Sequence, residues 1–114
     1  MMPGSSVPPV IFILSGGVGS SGEQLVNTVL AQFPENSVQT HTVGNIRYPE
    51  QVSRAFTQAK RANALVVHTL VDENLRNQVV ETAEALGIRA IDLMGPLIGW
   101  ISAALEMEPL QQPG

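Results

Sequence analysis

The chain's 114 residues suit one domain of ordinary size, and the lack of cysteine excludes disulfides and thiolate metal sites. Ten acids against six bases leave a formal charge of −4, the opposite of a nucleic-acid footprint, and Lys60-Arg61, the longest basic feature, reads as the solvated last turn of a helix. No apolar run approaches the ~20 residues of a membrane helix, and no basic stretch leads into an apolar one near the start, so a cytoplasmic protein with no membrane or nucleic-acid partner is expected.

Residues 1–9 read as a flexible Pro/Gly/Ser lead-in. Val10-Ile11-Phe12-Ile13-Leu14 follows, apolar without alternation, as a strand covered on both faces would be. After a glycine-rich turn, Leu25, Val26, Val29, Leu30 and Phe33 form a helical stripe ended by Pro34. Val38 to Val43 alternates weakly and predicts an edge strand, with His41 partly exposed. Pro49 and Glu50 open a second helix, striped by Val52, Ala55, Phe56, Ala59 and Ala62.

Ala64 to Val67 predicts a buried third strand running into His68-Thr69-Leu70-Val71. Asp72 is a suitable N-cap for a helix burying Leu75, Val79, Ala83 and Leu86, and Gly87 a suitable C′ stop. Ile88 to Leu93 predicts the fourth strand. Gly95-Pro96 starts a fourth helix carrying Leu97, Ile101, Ala104 and Leu105. Residues 10–108 thus read as a single α/β domain, and 109–114 as a linker or chain end.

Strands alternating with helices imply right-handed crossovers and a parallel sheet. The expected fold is a three-layer α/β/α sandwich with a four-stranded parallel sheet, Rossmann/flavodoxin-like, in strand order 2-1-3-4. Ligands of such sheets bind beyond the carboxyl ends of the strands where the order reverses. That directs attention to Ser15–Gly22, Val43–Arg47, His68–Asp72 and Met94–Pro96.

The segment Ser15-Gly16-Gly17-Val18-Gly19-Ser20-Ser21-Gly22 contains Gly17-x-Gly19-x-x-Gly22 between a strand and a helix. Glycines let a backbone approach an anion, and free helix N–H groups stabilise its charge. Ser20 and Ser21 add hydroxyls. The acid that a dinucleotide fingerprint places about 20 residues on is missing from Val43-Gly44-Asn45-Ile46, and a plain packing turn explains the glycines as well.

His68, beside Thr69 at a strand's end, suits an acid–base role, and equally a histidine that ties loops together. Asp72 stands where a phospho-accepting aspartate would, but the acids that would hold magnesium after the first strand are missing, and the N-cap role suffices. Two histidines with no common spacing predict no metal site. No P-loop is present, and Lys60 is the only lysine, so a cation for phosphoryl transfer is not evident.

Several segments, in order, carry a resemblance: Gln32-Phe33-Pro34, His68-Thr69-Leu70-Val71-Asp72 through Leu75-Arg76, Asp92-Leu93-Met94-Gly95-Pro96-Leu97, and Pro109 through Pro113-Gly114. Together they resemble the amino-terminal domain of the pyruvate, phosphate dikinase / phosphoenolpyruvate synthase regulatory protein family, over about Ile11 to Gly114. The resemblance implies a regulatory protein and phosphotransferase that uses ADP to phosphorylate a threonine of its target and removes that phosphate by phosphorolysis. It implies pyruvate, phosphate dikinase or phosphoenolpyruvate synthase as partner, and a homodimer. ADP or ATP and phosphate would bind only the full-length protein, whose P-loop lies in a second, carboxyl-terminal domain not included in these residues; no cofactor is implied for this chain.

One segment departs from the family. Where members resemble Ser-Asp-x-Thr-Gly-Glu-Thr, this chain has Ser15-Gly16-Gly17-Val18-Gly19-Ser20-Ser21. Ser15 and Gly19 match and Ser21 offers a hydroxyl, while Gly16 and Ser20 replace acids and Val18 replaces a threonine. If those groups contact substrate or orient a partner, the departure implies a weakened or altered copy, with a divergent, non-catalytic member as one reading.

Three functions compete. The first is a domain of a Ser/Thr kinase and phosphorylase, inactive alone, whose cleft is lined by Ser15, Gly19, Ser21, His68, Thr69 and Asp72, with Gly17, Ser20 and Gly22 as further phosphate-binding candidates. The second is a stand-alone anion-binding or oligomerisation module, with Trp100 and Met107 of the fourth helix forming an apolar patch. The third is a nucleotide-dependent oxidoreductase, resting on the glycine spacing alone.

Overall fold

The structure, a computed structural model, describes residues 7–113. The first six residues of the expected lead-in, and Gly114, lie outside them. Four strands and four helices alternate: β1 (Val10–Leu14), α1 (Ser20–Leu30), β2 (Gln39–Val43), α2 (Pro49–Ala62), β3 (Leu65–His68), α3 (Glu73–Leu86), β4 (Ala90–Asp92) and α4 (Gly95–Leu105). All strand pairs are parallel, in the order β2-β1-β3-β4. This is the expected α/β sandwich of Rossmann-like type with the expected strand order.

The two faces of the sheet are unequal. Strand side chains alternate, so Phe12, Leu14 and Val66 meet Val52, Ala55, Phe56 and Ala59 of α2 and Leu75, Val79 and Ala83 of α3 in the main core. The stripes expected for α2 and α3 are therefore the buried ones. On the opposite face Ile13 and Val67 pack with Val26 of α1 in a much smaller cluster.

That thin layer leaves two apolar stripes uncovered. Leu25, Val29 and Phe33 are exposed, and Phe33 lies beyond α1, because the α1 face has few sheet side chains to cover. Leu97, Ile101 and Leu105 of α4 are exposed too, and Met107 lies past the end of the helix. The fourth strand is also shorter than the apolar run: only Ala90–Asp92 finds a partner, along β3.

Caps follow the sequence closely. Asp72 accepts a hydrogen bond from Leu75 N–H at 3.0 Å, and Gly87 closes α3 in the left-handed conformation at φ 67°. Gln51 folds back to accept the N–H groups of Arg47 and Tyr48, starting α2.

Candidate functional site at the sheet's switch point

Strand order reverses between β1 and β3, and the loops leaving these two strands part there. Between them lies a concave cavity of about 290 Å³, lined by the whole of residues 15–21 with Thr69 and Val71 after β3, Met94 after β4, and Pro113. Backbone bonds fix its floor. Thr69 N–H donates to Leu14 C=O at 3.0 Å, joining the ends of β1 and β3. Ser15 donates its N–H to Val43 and accepts from Ile46, both at 3.0 Å, while Asn45 N–H reaches Gly17 C=O at 2.8 Å.

The loop's shape demands glycine at two places. Gly19 sits at φ 96°, and a Cβ there would meet Thr42 Cγ2 at 2.5 Å. Gly22 lets α1 close on the sheet, since a Cβ would come within 2.7 Å of Ile13 Cγ2. Buried Ser15 accepts a hydrogen bond from Gly17 N–H at 3.0 Å through its hydroxyl oxygen, bracing the turn. Ser20 and Ser21 start α1, whose first N–H groups have no intrahelical partner.

Of the residues predicted for the site, Ser15, Gly17, Gly19, Ser20, Ser21 and Thr69 line this one cavity. Gly22 is buried behind it. Asp72 stands in an adjoining groove with Arg47, whose guanidinium donates to Gly16 C=O. His68 belongs to the opposite side of β3, in a separate hollow with Val79, Ala83 and Asp92. None of the side chains lining the cavity is charged. Its hydroxyls and backbone N–H groups can hydrogen-bond a ligand, and Arg47, on Gly16 C=O, brings a cation into the adjoining groove.

Two charged residues outside the predicted set organise the neighbouring ground. Asp92, ending β4, accepts N–H bonds from Met94 at 2.9 Å and Gly95 at 2.6 Å, and so sets the start of α4. Its other oxygen receives Arg76 Nε at 3.2 Å and faces His68 Nε2 at 3.9 Å. An acid at a strand's end three residues before a Gly-Pro helix start is the signal that marks Asp92 in the sequence.

Electrostatics here follow burial. His68 is 2% exposed, and desolvation lowers its pKa below the usual 6.5; Asp92 opposes this and Arg76 adds to it. The imidazole is therefore neutral at pH 7, and the contact with Asp92 is not an ion pair. Its Nδ1 accepts Leu70 N–H at 3.1 Å, which places the proton on Nε2. Burial pushes the Asp92 carboxyl upward, but the N–H bonds from Gly95 and Met94, with His68 and Arg76, outweigh that and hold it below the ordinary carboxylate value.

An open parallel sheet in the order β2-β1-β3-β4, with a hydroxyl-lined hollow at its switch point, defines an α/β domain of Rossmann-like type. The kinase/pyrophosphorylase family profile matches residues 11–114, and the chain belongs to that family. It is 33% identical over 112 residues to a pyruvate, phosphate dikinase regulatory protein of Chloroflexus aurantiacus, covering 98% of this chain and 40% of the relative. A protein of the same description from Desulfotalea psychrophila is 37% identical over 105 residues, 92% of this chain and 37% of the relative. The chain thus spans about 40% of the length of the curated relatives it matches. Among the described residues no helix is long and apolar enough to cross a membrane.

Proposed function

We propose that this chain is the amino-terminal domain of a regulator of pyruvate, phosphate dikinase or phosphoenolpyruvate synthase, supplying substrate-facing surface and no catalysis of its own. The observation that carries this reading is the uncharged cavity at the switch point, in a chain of the kinase/pyrophosphorylase family. Phosphoryl transfer depends on cations against the phosphates and a group that accepts the nucleophile's proton. The chain's only lysine, Lys60, is at the other end of the sheet, where its Nζ donates to Leu86 C=O at 2.9 Å. ADP and phosphate chemistry then belongs to the remaining length that relatives possess, and this chain's part is to receive the target.

The test pairs this chain with a dikinase and ADP. Expected is saturable binding of the dikinase and no phosphothreonine. Phosphothreonine formed by the chain alone overturns the non-catalytic role, and failure to bind any dikinase overturns the substrate-facing one.

A second reading, an anion-binding module of cytoplasmic small-molecule or nucleotide phosphates, is favoured by the free N–H groups of α1 beside the hydroxyls of Ser15, Ser20, Ser21 and Thr69. Thermal melts against phosphate, pyrophosphate, ADP, ATP and NAD separate the two. A ligand at ~100 times its Kd stabilises a fold by roughly 2.7 kcal/mol, several degrees for a domain of this size. A shift with phosphate or ADP supports this module; no shift with any of them removes it.

A further inference from the structure

After α4 the chain turns back on itself. Glu106 takes the left-handed conformation at φ 53°, and Met107 N–H donates to Ser102 C=O at 3.1 Å. Residues 107–113 then run, exposed throughout, to the carboxyl edge of the sheet. Gln111, also left-handed at φ 61°, accepts a hydrogen bond from Glu73 N–H at 2.9 Å through its side-chain oxygen. That N–H is one of the first-turn groups of α3 that lack an intrahelical acceptor. Pro113 reaches the loop after β1, where a Cβ on Gly16 would stand 3.3 Å from its Cγ.

This tail divides two hollows that share a border. Gly16, Val71 and Pro113 line both the switch-point cavity of about 290 Å³ and the groove of about 160 Å³ that holds Arg47 and Asp72. Gly16 and Val71 belong to the loops of β1 and β3, which the sheet fixes, whereas Pro113 is held by little. Among the described residues, the bond from Glu73 to Gln111 is the single hydrogen bond between residues 108–113 and the rest of the chain. An exposed hydrogen bond competes with water on nearly equal terms, and positive φ is disfavoured for a residue with a side chain. A segment held this lightly opens at small cost.

We propose that residues 109–113 are a displaceable strap that shuts the switch-point site. Seated, Pro113 stands between the hydroxyl-lined cavity and the groove of the Arg47 guanidinium. Lifted, the strap joins the two into one cleft, and that cation then shares a space with Ser15, Ser20, Ser21, Thr69 and the first N–H groups of α1. A ligand spanning the cleft and a seated Pro113 exclude one another, so binding shifts the chain toward the open form. Apparent affinity is then the intrinsic affinity reduced by the open fraction. The ligand class that suits the open cleft, a phosphate-bearing anion, rests on the anion-binding reading above; the strap itself rests on the tail's own contacts.

The chain has no cysteine, so Gly16→Cys with Pro113→Cys introduces a single pair. Their Cβ atoms would lie 3.4 Å apart, close to the ~3.8 Å mean of disulfides. In the 114-residue chain this pair should oxidise with no loss of circular dichroism. Exchange of the Glu73 N–H, followed by NMR, should be at least roughly tenfold slower in the oxidised form than in the reduced one. Pyrophosphate should raise the Tm of the reduced form and leave that of the oxidised form unchanged. Gln111→Ala, exposed and outside the core, should speed Glu73 exchange and enlarge the pyrophosphate shift. A pair that stays reduced under oxidised glutathione overturns the proposal, as do equal exchange rates in the two redox forms. Equal, non-zero pyrophosphate shifts in the two forms, or unchanged Glu73 exchange in Gln111→Ala, also overturn it. If neither form responds to pyrophosphate, the anion-binding reading fails and the exchange rates decide the strap.

Discussion

The His68 imidazole and the Asp92 carboxylate close the carboxyl ends of paired strands β3 and β4, with Nε2 and Oδ2 3.9 Å apart and the two residues in register. The pair couples the main core to the start of α4. His68 is held from behind by Leu70 N–H, while Asp92 is held by Met94, Gly95 and Arg76. Burial keeps the histidine neutral, so this is a polar contact poised to change with protonation.

The first prediction concerns pH. Because the folded pKa of His68 lies below its unfolded value near 6.5, the unfolded chain binds the proton more readily. Stability is then complete above pH 6.5 and falls as pH drops through the lowered folded pKa. The depressed carboxyl of Asp92 acts lower, its contribution being lost as pH falls below about 3.8 and through the folded value. Melts at intervals from pH 7.5 to 4.5 should show a progressive loss of Tm below 6.5. His68→Asn, which cannot titrate, should flatten that slope even though it lowers Tm at pH 7.5.

Gly19 offers a second test. Its positive φ and the 2.5 Å approach of Thr42 Cγ2 to a would-be Cβ impose both strain and overlap. Gly19→Ala should cost about 1–3 kcal/mol in urea unfolding. An unchanged midpoint would contradict this loop conformation.

In the main core Phe56 is fully buried between α2 and the sheet. Phe56→Ala should cost about 3–5 kcal/mol, a large part of a small domain's stability. By contrast, Phe33→Ala should change stability by less than about 0.5 kcal/mol, since Phe33 is exposed. Parallel denaturation curves measure the contrast.

The caps provide a graded pair. Asp72→Ala removes one N–H acceptor from the first turn of α3 and should cost about 1 kcal/mol. Asp92→Ala removes the acceptor of two N–H groups and the partner of Arg76, so its cost should be the greater of the two. Equal denaturation midpoints would contradict the role of Asp92 in setting α4.

Where local chemistry decides, the sequence was legible. Asp72 and Gly87 bounded α3 because a short carboxylate satisfies first-turn N–H groups and glycine adopts positive φ without strain. The β-α alternation implied a parallel sheet because parallel strands need a crossover connection. The loop at Ser15–Ser21 was recognisable because a glycine-rich turn between a strand and a helix falls at the sheet's carboxyl edge. His68 was harder. Its neighbour Thr69, in the loop after β3, lines the cavity, whereas His68, the last residue of β3, lies with Asp92 on the side of the main core.

What the sequence by itself determined is the series of elements, their parallel order and the glycine-rich loop at the sheet's carboxyl edge, because periodicity, capping and glycine geometry act over a few residues. Only the tertiary structure decided which apolar stripes find a partner. The stripes of α2 and α3 are buried and that of α4 is bare, though α4 is the more apolar of the three. Burial depends on what packs opposite, and the two faces of this sheet are covered to different depths. The same distinction explains Asp92: as an isolated acid it is unremarkable, and its roles arise when β4 pairs with β3 and carries it to His68 and Arg76.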